Sequence, residues 1–310
     1  MKKISILVPT FNEEDNVVPL TEAIIGQFTE HLPGYDYEIM FIDNDSKDST
    51  RTKLRELCAS NPKIKAIFNA KNYGQFSSPY YGLLQATGDC VIAMCADFQD
   101  PVELIPRYVK EWEEGHKIIL GQKTSSKEGR TVRRMRNFYY RLLRKHSAVE
   151  FIEHVTGSGL YDRDFIETLR KVDEPQPFLR GMVAEMGYDI KLVPFEQPKR
   201  KAGKSSNGLF GYYDAGMQGI TSYTKFGVRL AVFFGVLFTL ASIAVSIGIG
   251  IYKLLNWNTF ALSNYIFGMV IFFVISLQLL FIGIVGEYIL NISSRMKKRP
   301  LVIESERINF

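Results

Sequence analysis

The chain has 310 residues, 46% hydrophobic and 23% charged, which suffices for one ordinary domain with something added. Its formal charge of +5 suits a membrane surface or a phosphate-bearing ligand without choosing between them. Three cysteines, Cys58, Cys90 and Cys95, form an odd set without metal-type spacing, which excludes a disulfide framework and points to reduced thiols on the cytoplasmic side.

The first apolar run, residues 4–8, is interrupted by Pro9 and is too short for a signal peptide, so it reads as a strand. Residues 14–30 carry helical periodicity, and 37–42 form a second strand ending in Asp43. A helix over 46–59, a strand over 64–68 and a helix over 79–86 follow. Residues 90–96 make a fourth strand ending at Asp97, 102–114 a helix and 117–120 a fifth strand. Strands alternating with helices predict an α/β domain with a mostly parallel sheet covered on both faces. Ligands of such sheets bind beyond the carboxyl ends of the strands. Asn12 and Glu13, Asp43 to Asp45, Asn69 to Asn72, and Asp97 to Asp100 all collect at those ends.

Residues 127–145 are basic, with eight Lys and Arg and the interleaved Tyr139 and Tyr140. They read as a solvated helix face or as a helix near anionic lipid or a lipid phosphate. Membrane anchoring argues against nucleic acid. Residues 205–225 mix aromatics, glycines and polar groups and suit interfacial helices. Residues 230–252 and 254–286 contain no Asp, Glu, Lys or Arg, and each run is long enough to span a bilayer as a helix. Arg295, Lys297, Lys298 and Arg299 follow the second run, whereas the connecting loop carries Lys253. The positive-inside rule then places both the N-terminal domain and the tail in the cytoplasm.

An acid ending a buried strand needs a partner or a metal. Asp97 and Gln99 offer two oxygens on one side of an extended chain, as Mg²⁺ or Mn²⁺ would use beside a substrate diphosphate. Asp100, before Pro101, reads as the cap of the next helix. Asp43 can accept from a base N–H or a ribose hydroxyl, with Asp48 or Ser46 capping the helix behind it.

Here the sequence resembles glycosyltransferase family 2, and within it the polyprenyl-phosphate glycosyltransferases, including bactoprenol glucosyltransferases and dolichol-phosphate-mannose synthase-like enzymes. VPTFNEEDN (8–16) resembles the opening VP-x-[FY]-NE, and IDNDSKDST (42–50) resembles DDGS-x-D-x-T. NYGQ (72–75), ATGD (86–89) and ADFQDP (96–101) follow in family order. FLRGMVAEMGY (178–188), KRKAGKSS (199–206) and the spans ending in GEYI (286–289) carry the match into the membrane part. The resemblance implies a Rossmann-like GT-A domain over 1–204, interfacial helices over 205–228, two transmembrane helices over 229–290 and a cytoplasmic tail over 291–310.

It also implies transfer of one sugar from a nucleotide sugar to a polyprenyl phosphate, such as undecaprenyl phosphate, at the cytoplasmic face of the plasma membrane. Carried over by position, Pro9, Phe11, Glu13 and Asp43 hold the nucleoside, and Asp97 and Gln99 hold the metal and diphosphate. Arg200, with Ser205, meets phosphate beside the membrane, which makes Asp97 and Arg200 the catalytic pair. Precedent in the family favours UDP-glucose or UDP-N-acetylglucosamine over GDP-mannose. Aromatic and glycine content in the spans leaves room for packing into a homo-oligomer.

Two departures stand out. Cys95 occupies the place of the first acid of an Asp-x-Asp motif, and TGSG (156–159) lacks the acid of the relatives' TGDF-type segment. Asp162 and Arg163 match the family's following pair, so no catalytic base is carried over. A phosphate acceptor is already an anion and needs little deprotonation; stabilising the departing diphosphate is the harder task. The departures also motivate an alternative, a non-catalytic member that binds nucleotide sugar or lipid as a scaffold of a cell-envelope complex. A processive polysaccharide synthase would show a QxxRW-type motif and more spans, and neither is found.

Overall fold

The computed structural model describes residues 1–125, 147, 149, 152, 155–172, 174–198, 209–255, 264–296 and 299–310. The first half runs β1 (Lys3–Thr10), α1 (Val17–His31), β2 (Asp36–Asp43), α2 (Thr50–Ser60), β3 (Ile64–Asn69), α3 (Gly74–Gln85), β4 (Cys90–Ala93), α4 (Leu104–Glu113) and β5 (Ile118–Ser125). Then come β6 (Val155–Asp162), α5 (Arg163–Lys171), α6 (Leu179–Glu185), β7 (Ile190–Glu196), α7 (Leu209–Tyr223), α8 (Phe226–Leu255), α9 (Asn264–Met296) and β8 (Glu304–Ile308).

The strands form one sheet in the order β7-β5-β6-β4-β1-β2-β3-β8. The first four strands are parallel, as expected. The sheet as a whole is mixed, because β6 runs antiparallel to β4 and β5, and β8 antiparallel to β3. Alternation along each strand fills two cores. Ile4, Ile6 and Val8 point to one face with Leu20, Ile24 and Leu54, while Leu7, Met40 and Ile42 point to the other with Tyr80, Leu83 and Phe165. Each such side chain contributes about 1.5–3 kcal/mol on burial, so the parallel centre is fixed by apolar packing and its polar ends are left to function.

The C-terminal tail contains a strand. β8 covers the edge of β3, a position that would otherwise expose unpaired backbone groups. Ile303 O accepts from Ala70 N at 2.9 Å, Arg55 forks onto Glu306 at 2.6 and 3.1 Å, and Asn309 Nδ2 donates to Cys58 O and Ile64 O at 2.8 Å each.

Helices α8 and α9, of 30 and 33 residues, extend about 45 and 50 Å at 1.5 Å per residue. They lie antiparallel: Gly227 rests against Ile284 and Tyr288, and the rings of Phe238 and Phe273 stand 6.2 Å apart. Large apolar side chains such as Val232, Phe233, Leu240, Ile271, Leu279 and Ile282 are exposed along both. Among the described residues Phe273–Ser293 is long and apolar enough to cross a membrane, and Phe226–Phe238 is a shorter apolar stretch.

Candidate functional site

The loops after β1 and β2 clasp each other. Asn44 N donates to Thr10 O at 2.9 Å, Asn12 N to Ser46 Oγ at 2.8 Å, Lys47 N to Asn12 Oδ1 at 2.8 Å, and Glu13 N to Thr50 Oγ1 at 2.9 Å. Asn12 (φ 56°) and Asp45 (φ 68°) occupy the left-handed region, which their short polar side chains tolerate. Pro9 and Phe11 are half-buried along this seam, and the Glu13 carboxylate accepts from Asn16 Nδ2 at 2.6 Å.

Asp43 is fully buried at the end of β2. Its Oδ2 accepts from Arg51 Nε at 2.6 Å and from Ser46 N at 3.1 Å. Its Oδ1 is buried without a hydrogen-bond partner among the described residues. A buried acceptor of this kind is normally satisfied, which makes Oδ1 a candidate for a ligand donor. Arg51 also donates to Asn69 O at 2.6 Å, tying the ends of β2 and β3 together. Asn44 extends the tie: its Oδ1 accepts from Asn69 Nδ2 and Tyr73 N, and its Nδ2 donates to Asn72 Oδ1 and Gly74 O.

The acid loop differs from the sequence expectation in two respects. β4 ends at Ala93, not at residue 96: Met94 N still donates to Leu7 O at 3.0 Å, then the chain turns. Asp100 is not the helix cap, because Glu103 occupies that position without a side-chain bond. Asp100, 1% exposed, instead accepts from Cys95 N at 3.0 Å and folds the loop back on itself. Burial, reinforced by the Asp97 carboxylate, pushes its pKa up. Asp97, 5% exposed, accepts from Gln99 N at 3.1 Å. Between them Phe98 has φ 59°, a strained conformation for a bulky residue and one that recurs at functional sites.

The donor set in this loop is a carboxylate and an amide oxygen, with a second carboxyl behind them, which fits a hard divalent cation. Cys95 does not add a thiolate: it is exposed, but the Asp100 and Asp97 carboxylates hold its pKa well above the usual thiol range.

The second half of the fold supplies groups that sequence reading passed over. Leu120 and Ala93 both face Gly159 across β6, so Lys123, three residues further along β5, reaches the level of the acid loop. Its ammonium acts on both Asp100 and Cys95. Gly157 of TGSG has φ 93°, a backbone conformation that glycine accepts freely. A methyl group there would stand 3.9 Å from Arg180 Nε. Asp162 caps α5 through Asp164 N and accepts from Trp112 Nε1 at 2.7 Å, and Arg163 donates to Ala86 O, so that pair is structural. Neither Asp48 nor Ser46 is the cap of α2: Ser49 holds that position without a side-chain bond, while Asp48 Oδ1 takes Thr50 N at 3.0 Å in the turn before the helix and Ser46 serves the clasp. Arg200, Ser205 and the basic segment 127–145 lie outside the described residues.

Residues 5–171 match the family model described as glycosyl transferase family 2. The chain is 31% identical over 307 residues to a prophage bactoprenol glucosyl transferase homolog of Escherichia coli (strain K12), covering 97% of this chain and 98% of that protein. It is 30% identical to a bactoprenol glucosyl transferase of Shigella phage SfX, covering 98% and 99%. Among solved structures, glucosyl-3-phosphoglycerate synthase from Mycobacterium tuberculosis, in complex with Mn²⁺, uridine diphosphate and phosphoglyceric acid, shares the fold. That likeness has a TM-score of 0.52 and 16% identity, and it covers 71% of this chain and 76% of that one. With its GT-A-like sheet and the acids at the sheet's carboxyl edge, the chain belongs to glycosyl transferase family 2 and is a glycosyltransferase.

Proposed function

We propose that this enzyme transfers a single hexose from UDP-glucose or UDP-N-acetylglucosamine to a polyprenyl phosphate, such as undecaprenyl phosphate, at the cytoplasmic face of the plasma membrane. The observation that carries the reading is the pairing, on one sheet edge, of a buried Asp43 whose Oδ1 has no hydrogen-bond partner among the described residues and an acid loop of Asp97 and Gln99. Asp43 Oδ1 accepts a base N–H or a ribose hydroxyl. Pro9, Phe11 and Glu13 line the same nucleoside seam. Asp97 and Gln99 would hold Mg²⁺ or Mn²⁺, which supplies positive charge to the diphosphate when bound. Arg200 and Ser205 take the acceptor phosphate beside the membrane.

The acceptor oxygen is an anion and attacks without a base. The work left to the chain is alignment and exclusion of water. One in-line displacement forms the new bond at the anomeric carbon as the bond to the nucleotide diphosphate breaks, with inversion.

A lipid acceptor is supported by how the chain leaves and rejoins the sheet. It departs through α7 and α8 and returns from α9 into β8, which pairs with β3 in the catalytic sheet. Both ends of the hairpin are thus fastened to one domain, so the number of membrane crossings is even. If α9 crosses, α8 crosses too. From Met296 at the end of α9 to Glu304 opposite Asn69 there are eight residue steps, which span at most about 28 Å. This keeps the carboxyl edge of the sheet close to the bilayer. Arg229 at the start of α8 and Arg299 after α9 mark the cytoplasmic end.

The anomeric configuration of the lipid product, read by NMR, tests the mechanism. Inversion relative to the donor is expected, and retention would exclude a single displacement.

A further inference from the structure

Three aromatic rings join the hairpin to the site. Tyr223 is the last residue of α7. The adjacent Thr224 is buried, bridges to Ser147, and accepts from the Tyr288 hydroxyl of α9 at 3.0 Å. Asn291 of α9 donates to Ser222 Oγ at 3.3 Å. The end of α7 is therefore pinned to α9.

From there the Tyr223 ring meets Phe178 at 6.0 Å between centroids, and Phe178 meets Phe76 edge-on at 5.6 Å. Phe178 is 8% exposed, with Val149 and Ile220 closing around it. Phe76 sits in the first turn of α3, two residues after Gly74, whose carbonyl accepts from Asn44 Nδ2 at 3.1 Å. Asn44 directly follows Asp43. Contacts thus run unbroken from α9 to the end of β2.

The joint has no slack where it meets α6. A Cβ on Gly181 would overlap the Tyr223 ring and stand 2.7 Å from its hydroxyl. Glycine within a helix is disfavoured relative to alanine, so its presence here answers a packing need.

We propose that Tyr223, Phe178 and Phe76, seated on Gly181, are positioning residues that fix the donor site over the membrane hairpin, so that a bilayer-borne phosphate meets the sugar in line. The proposal rests on the lipid-acceptor reading above. Close-packed rings do not absorb an added methyl group; they shift what they hold.

The test uses the full chain in lipid nanodiscs containing undecaprenyl phosphate and, separately, in detergent with a short water-soluble prenyl phosphate. The donor is labelled UDP-glucose or UDP-N-acetylglucosamine, whichever the wild type uses. Gly181→Ala is expected to lower kcat with the nanodisc acceptor about tenfold or more, since small misalignments cost up to about a hundredfold. Donor KM and transfer to the short acceptor should stay within about twofold, since neither depends on height above the bilayer. Tyr223→Leu alone should show the same acceptor split at about threefold, and adding it to Gly181→Ala should restore activity to about that level rather than compound the losses. Equal losses with both acceptors, unchanged kinetics in both single variants, or additive losses in the double variant would overturn the proposal. A wild type inert with both acceptors would instead strike the lipid-acceptor reading beneath it.

Discussion

Asp43→Asn should separate the binding role of this carboxylate from its structural role. The substitution keeps the volume of a side chain with no solvent exposure. The amide oxygen can still receive Arg51 Nε and Ser46 N, now 2.6 and 3.1 Å from Oδ2, so the β2–α2 corner survives. What changes is the position of Oδ1, where an NH₂ replaces an acceptor. A nucleoside N–H or hydroxyl then loses a bond to a charged acceptor, a contribution of about 1.5–3 kcal/mol. That corresponds to a dissociation constant raised about 10- to 150-fold. Titration calorimetry of UDP with Mn²⁺ against both proteins in detergent measures it directly, with the melting temperature as a control on folding. An affinity within about twofold of wild type, with the variant folded, would show that Oδ1 does not serve the nucleoside.

Other consequences follow from charge and from the sheet edge. Glu38 is buried among Lys3, Lys65, Ser5 and Thr87; despite the opposing effect of burial, bonds from Lys3 and Ser5 first, then Thr87 and Lys65, bring its pKa down to about 2. A lowered carboxylate pKa stabilises the fold above the unfolded value near 4.5 and loses that contribution as pH falls through about 2. The gap in stability between wild type and Glu38→Gln should therefore be about 3 kcal/mol at pH 6 and shrink below pH 4; a gap independent of pH would contradict the assignment. Cys95, though exposed, should react slowly with iodoacetamide at pH 7.5, and faster in Asp100→Asn, because Asp100 is the main cause of its raised pKa; equal rates in the two proteins would remove that cause. Deleting residues 304–310 should lower the melting temperature and promote aggregation by baring the edge of β3, whereas Arg55→Ala should cost at most about 1 kcal/mol, as exposed ion pairs do. Light scattering and thermal denaturation distinguish the two.

The parallel centre was legible because apolar runs ending in acids mark buried strands and their carboxyl edge together. Legibility failed where sequence signals conflict. Residues 94–96 are apolar enough to prolong β4, but Asp100 draws Cys95 out of the ladder, a tie that residue type alone does not announce. α3 begins at Gly74, five residues before the expected start at Pro79, since GQFSSP resembles a turn and Pro79 is tolerated inside the helix. β6 is broken by two glycines and β7 contains Pro194, so neither reads as a strand. β8, ESERI, is charged because it is an outer edge, where charge protects against further pairing. The Asp43 site was found, but its partner Arg51 lies eight residues away, and no spacing rule links a strand end to the first turn of the next helix at that distance. Lys123 escapes the sequence reading because β5 runs to Ser125, five residues beyond the expected end at 120.

Transfer of label from UDP-glucose, UDP-N-acetylglucosamine and GDP-mannose to undecaprenyl phosphate, by purified protein with Mn²⁺ or Mg²⁺ and by Asp97→Ala in parallel, is the decisive experiment. Label is expected to enter the lipid phase from one UDP-hexose and to be lost in the variant, as the proposed reaction requires. Undiminished transfer by Asp97→Ala, or none from any donor by folded wild type with intact acceptor, would contradict it, and the second result would turn the chain into a binding scaffold with Cys95 marking a lost site.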